Sequence, residues 1–125
     1  MASPRADELA ARRARRAAAQ AVLDELAIEF LQYADVSLGP MFGSTGLLRN
    51  GKFFAFVGRA GDLVLKLPEA QAAKLVSQGQ AGAVKAGRNP TREWVSVPQA
   101  ANGSTQLWRE LLADAYAYAT ERPRR

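Results

Sequence analysis

Residues 46–52, Gly-Leu-Leu-Arg-Asn-Gly-Lys, have the glycine and lysine spacing of a phosphate-binding loop. Such a loop holds phosphate because its backbone N–H groups point at the anion and it leads into a helix, where a Ser or Thr after the lysine ligates magnesium. Here Phe53 stands at the Ser/Thr position, and the apolar run 53–57 is typical of a β-strand. The pattern therefore predicts a hairpin turn at Gly51 rather than a nucleotide site.

The chain contains no cysteine and no histidine, which removes most catalytic and metal-binding chemistry. A disulfide, a thiol nucleophile, a Ser-His-Asp triad and an ordinary zinc or iron site each require one of these residues. Carboxylates such as Asp24, Glu25 and Asp114 lie in helical patterns where solvated acids are expected, and no spacing pairs them for acid–base catalysis. We therefore expect no catalytic residue, no metal and no cofactor, and we predict that the protein is not an enzyme.

Basic residues outnumber acidic ones, with 17 Lys and Arg against 12 Asp and Glu and a net charge of +5. This excess favours polyanionic partners such as nucleic acid. One basic cluster lies in a helical pattern near the N-terminus, where it either follows phosphates or forms a solvated face with ion pairs to Asp7 and Glu8. A second group lies on predicted strands, where it can contact a nucleic-acid backbone, deter edge-to-edge aggregation, or do both. The candidate nucleic-acid or partner-binding residues are Arg12, Arg13, Arg15 and Arg16 of the helix and Arg49, Lys52, Lys66 and Arg92 of the strands.

Aromatic residues in the strands raise the question of base stacking, which on an open sheet needs two or three rings on one face. Strict alternation points Phe54 and Phe56 to one side and Phe53 to the other. We therefore predict Phe54 and Phe56 in the core beneath helices, and no stacking platform. Trp94 and Trp108 are expected to anchor the core.

The elements that position these residues begin with one long helix over 5–34, which contains no Gly or Pro. Its first half has almost nothing large to bury, so we expect that half to project, fray or pack on a partner chain. Its second half has apolar residues at helical spacing, predicting a buried stripe of Leu23, Leu26, Ala27, Phe30 and Leu31.

Strand patterns start at Val36, and Gly39-Pro40 marks a break or an edge position. Two apolar runs around Asn50-Gly51 predict a type I′ hairpin, because both turn residues need positive φ. Residues 62–67 add a third strand, so the sequence predicts an antiparallel meander. A short edge strand at 83–85 and a strand at 92–98 follow.

Two further helices are predicted. One starts at Pro68, buries Ala72, Leu75 and Val76, and stops at Gly79. The other spans 105–121, with Tyr116 and Tyr118 on different sides, so that at least one is exposed. Its predicted inner stripe is Trp108, Leu111, Leu112, Ala115 and Ala119.

These elements predict a single α+β domain with an antiparallel four- to five-stranded meander sheet, a long N-terminal helix, a short middle helix and a C-terminal helix. We divide the chain into an Arg- and Ala-rich helical extension (1–19), the α+β domain (20–121) and a basic tail (122–125). No run of 18 apolar residues occurs, so we expect no membrane segment. The acidic residues after the N-terminal arginines argue against an export signal, and a cytoplasmic protein is expected.

The segment PMFGSTGLLRNGKFFAFVGRAGDLVLKL, followed by a short helix and REWVSVP, resembles the N-terminal domain of the TfoX/Sxy proteins over roughly residues 20–120. This resemblance implies an antiparallel sheet with an N-terminal helix and C-terminal helices, in bacterial regulators of natural competence that act with a DNA-bound transcription activator. The full regulators carry a second domain of helix-hairpin-helix character, which these residues do not contain, and the Arg-rich extension is additional to the family core. The matching family positions are Met41, Phe42, Gly43, Gly46, Asn50, Gly51, Lys52, Phe54, Leu65, Lys66, Trp94 and Val95.

The resemblance leads us to expect a non-catalytic regulatory domain linked to competence or transcription, whose partner is DNA, a transcription-related protein or another copy of the chain. One alternative is a small-ligand-binding module or unrecognised enzyme with a pocket near residues 41–46. Another is a structural protein that self-assembles by swapping or bundling its N-terminal helix.

Overall fold

The computed structural model describes residues 4–41, 43–86 and 89–121. Over these residues the chain is α+β, as predicted, with three helices and one antiparallel sheet of six strands. The elements in chain order are α1 (Pro4–Phe30), β1 (Val36–Met41), β2 (Ser44–Arg49), β3 (Lys52–Val57), β4 (Leu63–Lys66), α2 (Glu69–Ser77), β5 (Gly82–Ala86), β6 (Asn89–Val97) and α3 (Gln106–Glu121).

The strand order in the sheet is β1-β2-β3-β4-β6-β5. The first four strands form the expected meander, and β6 then pairs with β4 while β5 takes the outer edge. The sheet has six strands rather than four or five because segments at both margins, β1 and β5, form edge strands. Pro40 lies on β1, an edge strand, where its missing N–H costs no inner ladder bond.

The β2–β3 hairpin turns at Asn50-Gly51, and this prediction is confirmed. Asn50 has φ of 50° and Gly51 has φ of 80°, the positive values that a type I′ turn requires. Strand β3 starts directly after the turn, at Lys52. A phosphate loop would need a helix there, so these residues form no phosphate cradle.

Helix α1 ends at Phe30, earlier than predicted, and its predicted stripe is buried except for Leu31. Leu31, which follows the end of the helix, is 39% exposed. In the other direction, residues 5–15 are all exposed, and burial begins at Ala19. Residues 5–14 of α1 therefore stay outside the buried core.

One apolar core lies between a single face of the sheet and the three helices. Trp108 anchors it from α3 with 3% exposure, and its indole N–H donates to the Pro98 carbonyl at 3.2 Å. Helix α2 contributes Ala72 and Leu75, whereas Val76, which was predicted to be buried, is 38% exposed because it faces out beside the short helix's inner stripe. All three helices bury residues in this cluster, so they cover the same side of the sheet.

Candidate binding surface

The side of the sheet opposite the helices is here called the open face. Its residues alternate along the strands with those of the core, which include Ala55, Val57 and Leu65. Val64 is buried but is not part of the helix-covered cluster, as expected for a residue on the other side. Over the described residues, no helix packs on this side. The open face includes Leu48, Phe53, Phe56, Val64, Lys66, Trp94 and Ser96, with Gly39 and Gly46 beside them.

A β-bulge at Phe54 determines which aromatic rings reach the open face. Leu47 pairs with Ala55 while Leu48 pairs with Phe53, so Phe54 is an extra residue without a partner on β2. Phe54 is 1% exposed and its ring lies 6.0 Å from that of Tyr116 in α3. The bulge interrupts strict alternation, because Phe54 and Ala55 both turn toward the helices.

As a consequence Phe53 and Phe56 lie on the same side of the sheet, and the prediction that separated them is wrong. A Cβ placed on Gly46 would be 3.0 Å from Phe53 Cε1 and 3.0 Å from Phe56 Cβ, so both side chains flank this glycine. Phe56 was expected in the core with Phe54, but it is half-buried on the open face. Sequence reasoning missed this pair because a bulge depends on the pairing of two strands.

Trp94 completes a group of three rings. Its ring centroid lies 5.8 Å from that of Phe56, with the planes tilted by 50°. Trp94 is therefore half-buried on the open face, rather than a core anchor as expected. Lys66 is its direct partner across the β4–β6 pair, so a cation lies beside the rings.

The charges of the strands are unevenly distributed. Glu93 is the one acidic residue in the described strands, and it accepts a hydrogen bond from the Tyr118 hydroxyl on the helix side. The basic residues of the strands are Arg49, Lys52, Lys66, Lys85 and Arg92. The described strands therefore present cations, while their one carboxylate faces α3.

Arg49 points away from the open face and into the helix layer. Its side chain is 12% exposed, and its Nε donates to Asp35 Oδ2 at 2.6 Å. Its Nη1 donates to the Tyr116 carbonyl at 2.6 Å, and the guanidinium carbon lies 3.7 Å from the centroid of the Tyr116 ring. The structure thus places this predicted contact residue in an internal cluster that ties the hairpin to α3.

This cluster shifts the pKa values of Asp35 and Tyr116. Burial by itself would raise the pKa of Asp35, but the hydrogen bonds from Arg49 and Tyr116 and the Arg49 charge outweigh it and lower the pKa. Burial raises the pKa of Tyr116, and the hydrogen bond that its hydroxyl donates to Asp35 at 3.1 Å raises it further. Tyr116 and Tyr118 are both half-buried, so the expectation that one is exposed is wrong.

The N-terminal arginines divide into two groups. Arg12, Arg13 and Arg15 are exposed, whereas Arg16 is half-buried and donates from Nη2 to Ser44 Oγ at 2.7 Å. A Cβ on Gly61 would lie 3.0 Å from the Arg15 backbone, so the β3–β4 turn packs closely against the helix there. Helix α1 runs without a break through the expected boundary at residue 19, and its contact with the sheet begins at Arg15 and Arg16.

The remaining candidates lie at the margins of the sheet. Lys52 is exposed at the hairpin end, where its backbone lies opposite that of Arg49 in the β2–β3 ladder. The Arg92 guanidinium lies 3.7 Å from the Glu69 carboxylate, with both side chains largely exposed. Such an exposed pair contributes little to stability. The eight predicted basic residues therefore do not form one surface.

The family-motif residues have structural positions. Met41 and Ser44 pair across the β1–β2 hairpin, and Gly43, with φ of 79°, turns it. Gly46 is buried beneath the open-face rings, as described above. Phe42 and the basic tail 122–125 lie outside the described residues.

A shallow recess lies elsewhere, between α2 and the β5–β6 pair, with a volume of about 360 Å³. Its walls include the apolar residues Ala73, Val76 and Ala83, and Glu69 and Arg92 also line it. In the described ranges, no three Asp or Glu side chains group closely enough to hold a metal ion. Likewise, none of the helices described has the length and apolar character needed to cross a bilayer.

Comparison with known proteins gives one family match. A family model described as the TfoX N-terminal domain matches residues 29–119. It spans the whole sheet, α2 and nearly all of α3, and starts near the end of α1. The resemblance predicted from the hairpin motif is confirmed. No curated protein shows a significant match to the chain.

Proposed function

Because the chain belongs to the TfoX N-terminal domain family, we propose that it is a non-catalytic regulatory domain that acts by binding, in competence or transcription control. Its partner is DNA or a transcription-related protein. The absence of Cys and His from the sequence supports a binding role, since it removes the usual nucleophiles and proton-transfer groups.

One observation carries the proposal that the partner is acidic. Residues 5–15 of α1, here called the basic arm, are exposed along their whole length, and they include Arg12, Arg13 and Arg15. Up to Arg15, where the backbone meets the Gly61 turn, this Ala-rich helix places no buried side chain against the domain, so its exposed arginine side chains are available to a partner. With 3.6 residues per turn, Arg12 and Arg15 lie on one face, where they can follow a row of phosphates.

A salt-titrated binding assay with labelled duplex DNA tests this proposal. We expect affinity to fall steeply with salt, and the triple variant Arg12→Ala, Arg13→Ala, Arg15→Ala to reduce the slope of log K against log salt by about 2 to 3. The matched control is Lys74→Ala, Lys85→Ala, Arg109→Ala, which removes the same charge from exposed positions outside the arm.

If the control variant lowers the salt slope by the same amount, the arm contributes only through the net charge of the protein and is not a specific binding site. If the wild-type chain binds no duplex DNA, a cross-linking capture from the native cell extract tests the protein partner, with the arm variant as comparison. A captured transcription protein that the arm variant retains fully would show that the arm is not the docking site.

A second candidate function, binding of a small apolar ligand, is favoured by the recess between α2 and β5–β6. Its volume of about 360 Å³ falls in the range of ligand sites. Ala73→Trp would fill it from an exposed helix position. Thermal-shift screening should then show compounds that stabilise the wild type and leave this variant unchanged, and a screen without such compounds would count against this function.

A further inference from the structure

We propose that the open face binds single-stranded nucleic acid, with bases stacking on Phe53, Phe56 and Trp94. This surface is distinct from the basic arm, and its ligand differs from duplex DNA, so the inference goes beyond the proposed function. It rests on the position of the rings, on the glycines beside them and on the charge of the strands.

The three rings form a connected platform. Phe56 and Trp94 are 5.8 Å apart, and Phe53 and Phe56 both lie 3.0 Å from the Cβ position of Gly46. All three are half-buried, so each is held by its neighbours while part of its surface faces solvent. Bases stack on such aromatic groups whatever their identity, because every base has a π-face.

Two glycines lie directly beneath this platform. Gly39 and Gly46 are direct partners across the β1–β2 pair. A Cβ on Gly39 would lie 2.8 Å from Leu48 Cδ1 and 3.5 Å from Phe53 Cζ. Because these two positions carry no side chain, Leu48, Phe53 and Phe56 pack directly over the backbone there, which holds the rings in place.

Charge favours a polyanion over a second copy of the chain. Lys66 lies opposite Trp94 across the β4–β6 pair, and Glu93, the acidic residue of the described strands, accepts a hydrogen bond from Tyr118 of α3. Two copies paired through their open faces would bring like charges together, which disfavours that complex. A nucleic-acid backbone gains from the Lys66 charge instead.

The platform suits a single strand rather than a duplex. In a duplex the base faces are stacked on one another, and a broad sheet of aromatic rings cannot reach them. An unpaired strand can splay its bases onto the rings while a phosphate lies near Lys66. Whether the strand is DNA or RNA is decided by the experiment.

The two tryptophans allow a direct test. In a Trp108→Phe background, Trp94 is the one remaining tryptophan, and it reports on the open face and on the adjoining recess that it also lines. We expect ten-nucleotide oligo(dT) or oligo(U) to quench its emission saturably, and a duplex of equal length to do so much more weakly at the same salt. If one of the two oligonucleotides quenches at lower concentration than the other, that difference shows whether the face prefers DNA or RNA.

Substitutions separate stacking from general apolar contact. Phe53→Leu and Phe56→Leu keep an apolar side chain but remove the ring, and each should weaken single-strand binding about 5- to 100-fold. Lys66→Gln should lower the salt slope by about 0.7. Ile28→Leu changes an apolar side chain that is 65% exposed on α1, and it should leave the affinity unchanged.

Three results would overturn the inference. These are the lack of quenching by either single strand, equal binding of duplex and single strand, and leucine variants that bind like the parent while their urea midpoints show a folded chain. A concentration-dependent dimer that Phe56→Leu abolishes, without oligonucleotide binding, would assign the face to a second copy. The arm variant Arg12→Ala, Arg13→Ala, Arg15→Ala should still show Trp94 quenching, so this inference and the proposed function can fail separately.

Discussion

The guanidinium carbon of Arg49 lies 3.7 Å from the centroid of the Tyr116 ring. This contact joins the end of the β2–β3 hairpin to the last helix, across 67 residues of sequence. Asp35 completes the cluster by accepting hydrogen bonds from both residues, and the Tyr33 ring stacks on Tyr116 at 4.9 Å. A cation that the sequence offers as a binding residue therefore has a role in holding helix and sheet together.

Arg49→Ala should destabilise the fold by about 2 kcal/mol, because it removes charged hydrogen bonds from a largely buried side chain. Arg49→Lys should recover only part of this, since an ammonium cannot donate in the same two directions while it covers the Tyr116 ring. Urea unfolding measures both variants. Arg92→Ala is the control, and its exposed ion pair predicts almost no change. Equal effects at the two arginines would contradict the structural role of the cluster.

The Asp35 carboxyl should make stability depend on acid pH. Its pKa is lower in the folded protein than the ordinary value of 3.8, so the unfolded chain takes up the proton first as pH falls. The stabilisation from this carboxylate is therefore complete above the unfolded pKa and is lost as pH falls through the folded pKa. Relative to the wild type, Asp35→Asn should be destabilised more at pH 6 than at pH values below 3.8. Urea unfolding of both proteins across this range measures the difference. A difference from wild type that stays constant with pH would refute the shift.

The bulge at Phe54 is tested by comparing neighbouring phenylalanines. Phe54→Ala removes a ring that is 1% exposed, and it should cost about 3 to 5 kcal/mol. Phe53→Ala and Phe56→Ala remove half-buried rings from the open face and should each cost markedly less. Equilibrium unfolding of the three variants gives the ranking. Strict alternation predicts that Phe54 and Phe56 behave alike, so a Phe56 effect as large as that of Phe54 would argue against the bulge.

Gly46→Ala should destabilise the sheet by about 1 to 3 kcal/mol through overpacking. The added methyl would lie 3.0 Å from the Ala55 carbonyl oxygen and from two side-chain atoms of the open face. Gly51→Ala is the comparison, because it meets no atom within 4 Å and is strained by its φ of 80° alone. Both variants should lose stability, but only Gly46→Ala should alter the near-ultraviolet circular dichroism of the open-face rings. An unchanged spectrum for Gly46→Ala would mean that the rings do not close over this glycine.

Much of the fold could be predicted from local patterns. Asn50-Gly51 required a turn with positive φ, and the helical stripes of α1 and α3 identified core residues such as Leu23 and Trp108. The errors lie at element ends and at an irregularity. Leu31 continues a helical period beyond the end of α1, and Val76 lies just beside the inner stripe of a short helix. In both cases the residue fits the helical spacing of apolar residues in the sequence, but the folded structure offers it no core surface to pack against.

The candidate surface was less predictable than the fold. The sequence contains the three rings and the cations, but alternation assigned Phe56 to the core and left Phe53 alone. A bulge adds one residue to one strand, and its position depends on how β2 and β3 pair rather than on either strand alone. The direction of Arg49 likewise depends on Asp35 and Tyr116, which the chain brings together only when helix and sheet meet.

By itself, therefore, the sequence determined the α+β class, the hairpin at Asn50-Gly51, the family and the exclusion of cysteine and histidine chemistry, because these follow from residue types and short-range spacing. Only the tertiary structure decided that Phe53, Phe56 and Trp94 share the uncovered side of the sheet and that Arg49 turns inward. Those outcomes depend on strand register and on contacts between residues far apart in the chain, and a local pattern carries neither.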